Sequence, residues 1–354
     1  MTILHVITSL QTGGAEKLMV DLLPRLQQMG HDVELCVFYG LRTPFYEQLE
    51  EAGIKIHSLS EQDNVYDPRL IFSLARLMKN FDVIHTHNTA CQLFAAIASV
   101  FVKRPRLITT EHNTTNRRRG VWYLKPGDLW MYRQYEKIIC ISEQARENLV
   151  RYIGEDNKIV TIFNGIELNR FINAPIFRNF GEDKKVITMV SAFRKQKDQK
   201  TLIRAFCKLP DKYILQLAGD GDFRKETEAY ARELPCSDRI CFLGIRRDVP
   251  QLLKGSDVVV LSSHYEGLSL SSLEGMVSGR PFIASDVDGL HEIVDGYGIL
   301  FPHEDADALA KAILSVCEDS GYAAVIAEKC MRRVRQFDIS CMAEQYNQVY
   351  QTTL

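Results

Sequence analysis

Residues 3–38 read ILHVITSLQTGGAEKLMVDLLPRLQQMGHDVELCVF, and the fold turns on this stretch. Ile3–Thr8 is rich in β-branched residues, as strands are. A Gly13-Gly14 turn follows, then a helical stretch over Ala15–Met29, then a second apolar run over Val33–Phe38. Strand, glycine turn, helix and strand in this order make a βαβ unit, which implies a parallel sheet covered on both faces.

Working outward, the alternation continues. Strands are expected at Val83–Thr86, Leu107–Glu111 and Lys137–Ile141, with a helix over Ala90–Val102. After the polar segment Asn173–Lys185, which holds Pro175, Asn179 and Gly181, the pattern restarts. Strands are expected at Val186–Ser191, Tyr213–Ala218, Ile240–Leu243, Val258–Leu261 and Phe282–Ala284. Helices are expected at Gln199–Lys208, Phe223–Leu234 and Ser269–Ser278. The reading is an α/β protein with an N-terminal domain over 1–172, a C-terminal domain over 173–335 and a last helix within 336–354. That helix can dock on either domain as far as its own residues tell.

Bulk properties fit two ordinary globular cores. The chain has 354 residues, 46% apolar and 25% charged, with a formal net charge of −2. Such a balance carries no polycation signal for nucleic acid. No uninterrupted apolar run reaches the roughly 18 residues that a bilayer span needs. Met1–Leu10 reads as a first strand rather than a leader peptide. The nine cysteines are scattered without a C-x-x-C pair, and Cys36, Cys140 and Cys241 lie in apolar runs. They read as reduced core residues, which suits the cytoplasm.

Four groups of residues can carry chemistry. Thr12-Gly13-Gly14-Ala15-Glu16 lies between the first strand and its helix, where backbone N–H groups and the helix dipole favour a phosphate. The same residues equally describe a tight strand-to-helix turn, and they lack the G-x-G-x-x-G dinucleotide pattern. Glu266 and Glu274 stand eight apart, flanking Gly267-Leu268-Ser269-Leu270-Ser271-Ser272 at the carboxyl end of an expected strand. They read either as ligands for sugar hydroxyls or as solvated glutamates. Arg194, Lys195 and Lys197 follow another strand and suit a diphosphate, or form a solvated basic loop. His85, His87 and His112 end strands; a hydrogen bond to a ligand or a structural role suits them better than a metal, because no further ligand pattern completes a site. Arg117-Arg118-Arg119 with Trp122, Tyr123 and Trp130 can meet an anionic membrane or lipid, or form a solvated loop beside a core-facing helix.

Together these landmarks resemble the retaining glycosyltransferases of family 4, which have the GT-B fold. In order they are GGAE at 13–16, DVIHTHN at 82–88, TEHN at 110–113, CISEQARENL at 140–149 and FNGIEL at 163–168. QKDQKTLIRAF at 196–206, LAGDGD at 217–222, FLGIRRDVPQLL at 242–253 and SSHYEGLSLSSLEGMVSGRPFIASDVDGLHEIV at 262–294 follow. The last, with its E-x7-E spacing and Gly-Arg-Pro turn, is the most specific.

The resemblance implies two Rossmann-like domains facing across a cleft, with the final helix crossing back to the first. It implies transfer of a hexose or N-acetylhexosamine from a nucleotide-diphosphate sugar, UDP favoured, to a glycan or lipid-linked acceptor, as in capsule, exopolysaccharide or lipopolysaccharide synthesis. No cofactor and no metal are implied. Glu266, His112, Arg194 and Lys197 would form the catalytic set. Gly13, Gly14, Ile245, Gly267, Leu268, Ser269, Leu270 and Glu274 would hold the donor. His85, His87, Asn88, Arg117 and Arg118 would face the acceptor, at the inner face of the cytoplasmic membrane. Where the family commonly has an arginine five residues before Lys197, this chain has Ala192; Arg194, two residues later, would have to supply the charge instead. A sugar-nucleotide 2-epimerase of the same architecture is the alternative activity.

Overall fold

The computed structural model describes residues 1–11, 13–102, 106–112 and 117–352, and for Arg117 the backbone only. Thr12 and Asn113, both within the motifs above, lie outside the described residues. The chain divides into two compact units, Met1–Gly165 with Ile339–Leu354, and Ile166–Asp338. The division falls seven residues before the expected 172/173 boundary, so the polar segment 173–185 lies inside the second unit.

The first unit is built on seven strands: β1 (Thr2–Ile7), β2 (Asp32–Tyr39), β3 (Lys55–Ser60), β4 (Val83–Thr86), β5 (Arg106–Glu111), β6 (Lys137–Cys140) and β7 (Ile159–Thr161). All pair in parallel in the order β3-β2-β1-β4-β5-β6-β7. The order reverses direction between β1 and β4, and a doubly wound sheet binds ligands outside its carboxyl ends at such a switch. The helix Gly14–Gln28 covers one face by burying Leu18, Met19, Leu22, Leu23 and Leu26. Gly30 closes it at φ +88°, with the His31 N–H donating back to the Leu26 carbonyl at 3.3 Å, as a Schellman cap requires.

The last helix, Ile339–Thr352, belongs to this unit. Its buried residues Ile339, Met342, Ala343, Tyr346, Val349 and Tyr350 fall on one helical stripe. They join the core of Leu18, Leu22, Leu35 and Ile108. Burial of Ile339, Met342 and Val349 contributes about 1.5–3 kcal/mol each, which makes the helix an integral layer of this unit.

The second unit has six strands: β8 (Lys185–Val190), β9 (Tyr213–Ala218), β10 (Ile240–Gly244), β11 (Val258–Leu261), β12 (Phe282–Asp286) and β13 (Ile299–Pro302). They too are all parallel, in the order β10-β9-β8-β11-β12-β13, with the switch between β8 and β11. Gly289, at φ +79°, lies so close to the loop after β11 that a Cβ would come within 2.0 Å of the Gly267 carbonyl oxygen.

Three strands escape the sequence reading, β3, β7 and β13, and all three include a sheet edge. Edge strands are half-solvated, so β3 (KIHSLS) carries polar residues and β13 (ILFP) ends in proline. Among the described residues the cysteine reading needs one correction. Cys207 and Cys236 are joined in a disulfide with their Cα atoms 5.3 Å apart. A separation of 29 residues has no sequence signature; the fold brings the end of the helix Gln199–Phe206 beside the segment before β10. Cys36 and Cys140 are buried and unpaired, while Cys241 is half-buried.

Candidate functional site

In the second unit, the loops after β8 and β11 meet at the switch point. The Lys197 ammonium lies 2.5 Å from Oε1 of Glu266, and both side chains are largely buried. Ser263 Oγ donates to the same carboxylate oxygen at 2.6 Å, and the Glu266 N–H donates to the Asp288 carbonyl. Gln196 ties the loops further: its Nε2 donates to the Tyr265 carbonyl at 2.7 Å, while its own carbonyl accepts the His264 N–H at 2.8 Å. The carboxylate and ammonium are therefore held in one place, with the loops braced from both sides.

The helix Leu270–Val277 starts beside this pair. Ser269 is its N-cap and makes no side-chain capping bond. Its hydroxyl and the first-turn amides belong to a terminus whose N–H groups have no partner within the helix. Glu274 lies on that helix and is buried, as are Leu268 and Ser269. Neither glutamate is a solvated surface residue. Ile245 follows β10 with 65% of its surface exposed, an apolar side chain left outside the core at the carboxyl end of the sheet. Arg194 and Lys195 are exposed, and the carbonyl of Ala192 accepts from Gln199 Nε2 at 3.0 Å.

In the first unit, the helix Gly14–Gln28 opens at the end of β1. Gly13 is its N-cap, and a Cβ on Gly14 would meet nothing within 4 Å. Among the described residues, packing therefore gives no reason for Gly14 to lack a side chain. Asn88 caps the helix Thr89–Ser99 at the end of β4 without a side-chain capping bond, and its Oδ1 is buried with no partner among the described residues. An orphaned buried acceptor at a switch point suits a hydroxyl donor from outside the chain.

The histidines form a row that is buried at His5, His85 and His87 and half-buried at His112. Nε2 of His112 lies 3.0 Å from Nδ1 of His87, and Nε2 of His87 lies 2.8 Å from Nδ1 of His5. His5 Nε2 is 3.5 Å from the Tyr350 hydroxyl, which is 2.6 Å from Nδ1 of His85. His85 Nε2 meets Thr110 Oγ1 at 2.8 Å, and Thr110 meets the Tyr346 hydroxyl at 3.1 Å. Burial pushes the His5 pKa down to about 3 and that of His112 down to about 4. Burial, with the neighbouring imidazoles, holds His85 and His87 well below the usual range. Each ring is thus neutral, with one donor and one acceptor nitrogen, and the protons along the row must point in a common sense. Sequence reasoning singled out His85, His87 and His112 but missed His5 and Tyr350. Both are fully buried, so only their shared location reveals them.

Two acceptor-side expectations need correction. His85 has both ring nitrogens engaged inside the core and presents neither to a ligand. Arg118 and Arg119 do not form an open basic loop. Arg118 pairs with buried Asp128 at 2.5 Å, and Arg119 pairs with Glu111 at 3.0 Å. Glu111 also accepts from Tyr132 and Gln92. The aromatic part of the segment is exposed, Trp122 at 85% and Tyr123 at 66%.

Known proteins resemble this chain over nearly its whole length. Residues 12–170 match the family Glycosyltransferase Family 4, and residues 173–333 match Glycosyl transferases group 1. A UDP-Gal:alpha-D-GlcNAc-diphosphoundecaprenol alpha-1,3-galactosyltransferase of Escherichia coli is 27% identical over 76% of this chain and 75% of its own. The phosphatidyl-myo-inositol mannosyltransferase of Mycolicibacterium smegmatis is 28% identical over 96% of this chain and 90% of its own. Among solved structures, Anabaena Alr3699/HepE in complex with UDP and glucose superposes with a TM-score of 0.87 at 22% identity, covering 99% of this chain and 100% of that one. The two matched families and the doubled Rossmann-like sheets identify the chain as a glycosyltransferase of family 4 and group 1, with the GT-B type of α/β fold.

Proposed function

We propose that the protein moves a hexosyl or N-acetylhexosaminyl group from a UDP-sugar to a hydroxyl of a lipid-linked acceptor, with retention at the anomeric carbon. The observation that carries the reading is the Lys197–Glu266 pair at the β8/β11 switch, beside the first turn of the helix Leu270–Val277. A cation and a carboxylate fixed together suit the adjoining diphosphate and sugar of a sugar nucleotide. Lys197, with Arg194 in place of the family's arginine, takes the diphosphate. Glu266 accepts hydrogen bonds from the donor sugar, and Glu274 accepts them from the ribose. The open space at Gly14 supports a close backbone approach to phosphate. UDP is favoured because the E. coli relative is named for a UDP-Gal donor. Both relatives are named for lipid acceptors, which supports the same class here. No helix among the described residues is long and apolar enough to cross a membrane, so such an acceptor would be met from one side, with Trp122 and Tyr123 as exposed contacts at the cytoplasmic face.

In the reaction, the bond from the anomeric carbon to the diphosphate oxygen breaks and the electron pair leaves with the diphosphate. The acceptor oxygen bonds to the same face of that carbon, and its proton passes to the departing phosphate oxygen. Fixed cations lower this barrier by stabilising charge as it develops. Neither a cofactor nor a metal takes part in these steps.

Thermal unfolding with saturating UDP, GDP, ADP or CMP tests the donor assignment. A ligand at about 100 times its Kd stabilises by about 2.7 kcal/mol, a shift of about 4 °C for a chain of this size. A shift with UDP alone is expected, followed by transfer from a UDP-sugar to a polyprenyl-diphosphate glycan. A shift with GDP alone would move the donor to another base. A shift with none would remove the diphosphate site.

A further inference from the structure

The second unit carries a group of side chains to which the transfer steps above assign no role. His264, in the loop after β11, and His303 and Glu304, in the loop after β13, converge at the rim of the sheet. We propose that these three residues bind a divalent transition-metal ion.

The distances suit one. Nδ1 of His264 lies 2.8 Å from Nε2 of His303 and 3.4 Å from Oε1 of Glu304, and the three ligand atoms all lie within 4.8 Å of one another. A tetrahedral ion about 2.0–2.1 Å from each ligand separates them by about 3.3 Å. The glutamate oxygen already lies at that distance from His264 Nδ1, and the two ring nitrogens need to part by only about half an ångström. His303 and Glu304 are exposed, so the rings can turn and an ion can enter from solvent.

Charge and ligand type narrow the ion. Asp198 Oδ2 lies 3.8 Å from the same His264 nitrogen, and Asp198 is fixed by bonds donated from the Thr201 N–H and hydroxyl. It can supply a fourth ligand or accept a hydrogen bond from a metal-bound water. Two carboxylates then balance a dication. Two imidazole nitrogens with carboxylate oxygens select zinc, cobalt, nickel or copper over magnesium and calcium.

A second feature converges on the same place. Among the described residues, Asp198 (φ 45°) and Glu304 (φ 62°) are the non-glycine residues with left-handed backbone, and both flank His264. Bulky residues in that region are disfavoured and persist where surrounding structure holds them. A bound ion would join the β11 and β13 loops directly and the β8 loop through Asp198.

Equilibrium dialysis of the full-length chelator-treated protein against Zn2+ tests the site, with Co2+ absorption as the second readout. Wild type is expected to bind one more equivalent than His303→Ala or Glu304→Gln, and to show a tetrahedral Co2+ band that both variants lose. Affinity at this site should fall at least tenfold in each variant. Zn2+ should raise the unfolding midpoint of wild type but not of the variants. The buried His5–His85–His87 group and the free cysteines are common to all three proteins, so the difference reads this site alone. Both substitutions are at exposed positions, and equal midpoints without metal would show that the variants fold. Equal stoichiometry and affinity in wild type and both variants would overturn the proposal, as would Mg2+ binding as tightly as Zn2+. None of these readouts depends on sugar transfer.

Discussion

The Lys197 ammonium and the Glu266 carboxylate lie 2.5 Å apart at the junction of β8 and β11. The two residues are 69 apart in the chain, and each shields the other from an uncompensated burial. Removing one partner of such a pair leaves a buried charge alone, which typically costs about 3–5 kcal/mol. Lys197→Ala and Glu266→Ala should each lower the urea midpoint and abolish transfer. The double variant Lys197→Met/Glu266→Leu should recover much of the stability but none of the activity. Recovery of both would place the pair outside the catalytic set.

Gly14 and Gly289 should respond in opposite ways to alanine. At Gly14 the new methyl meets no atom of the described residues within 4 Å, and alanine loses less backbone freedom than glycine on folding. Gly14→Ala should unfold at the same or a higher denaturant concentration while its KM for the nucleotide sugar rises. Gly289→Ala should be destabilised, because its φ of +79° and the Gly267 oxygen 2.0 Å from the Cβ position leave no room. Unchanged kinetics in Gly14→Ala would remove the donor from that turn.

The buried histidine row predicts acid sensitivity. In the unfolded chain these imidazoles take up protons near pH 6.5. In the fold they stay neutral down to about 4 at His112 and about 3 at His5. The unfolded state therefore binds more protons below pH 6.5, so stability is full above that pH and falls as pH drops toward 4. Each buried imidazole adds a slope of about 1.4 kcal/mol per pH unit. Urea unfolding between pH 7.5 and 5 should show this slope, and His5→Gln should flatten it. A flat profile in wild type would mean that the row is protonated in the fold.

Tyr350→Phe removes the hydroxyl that joins His85 to His5 and leaves a buried acceptor or donor unmade. The expected loss is about 1–3 kcal/mol. The ring nitrogen shifts of His85 and His5, read by 15N NMR, should move with it. Tyr346→Phe, acting only through Thr110, should perturb His85 more than His112.

Membrane contact, if the acceptor is lipid-borne, should rest on aromatic side chains more than on charge. Arg118 and Arg119 are committed to Asp128 and Glu111, whereas Trp122 and Tyr123 are exposed. Trp122→Ala should reduce sedimentation with anionic liposomes more than Arg118→Gln does. The reverse order, or a strong loss in high salt, would return the role to the basic residues.

Much of this protein was legible in its residues. Central strands such as Val83–Thr86, Tyr213–Ala218 and Val258–Leu261 are buried on both faces, so their apolar runs stand out and their bounds match the structure. The glycine turn and the glutamate pair stood out because backbone approach and charge need particular residue types. What escaped were features without a local signature. The edge strand β3 lacks a continuous apolar run, and the edge strands β7 and β13 are only three and four residues long. The Cys207–Cys236 bridge, the Lys197–Glu266 pair and the Tyr350–His85 bond join residues far apart in sequence. Periodicity within a segment determines which elements form and which face they bury, because side-chain direction repeats every few residues. Which charged or ring nitrogen atoms end within 3 Å of each other depends on strand order and register, and only the packed sheets set those.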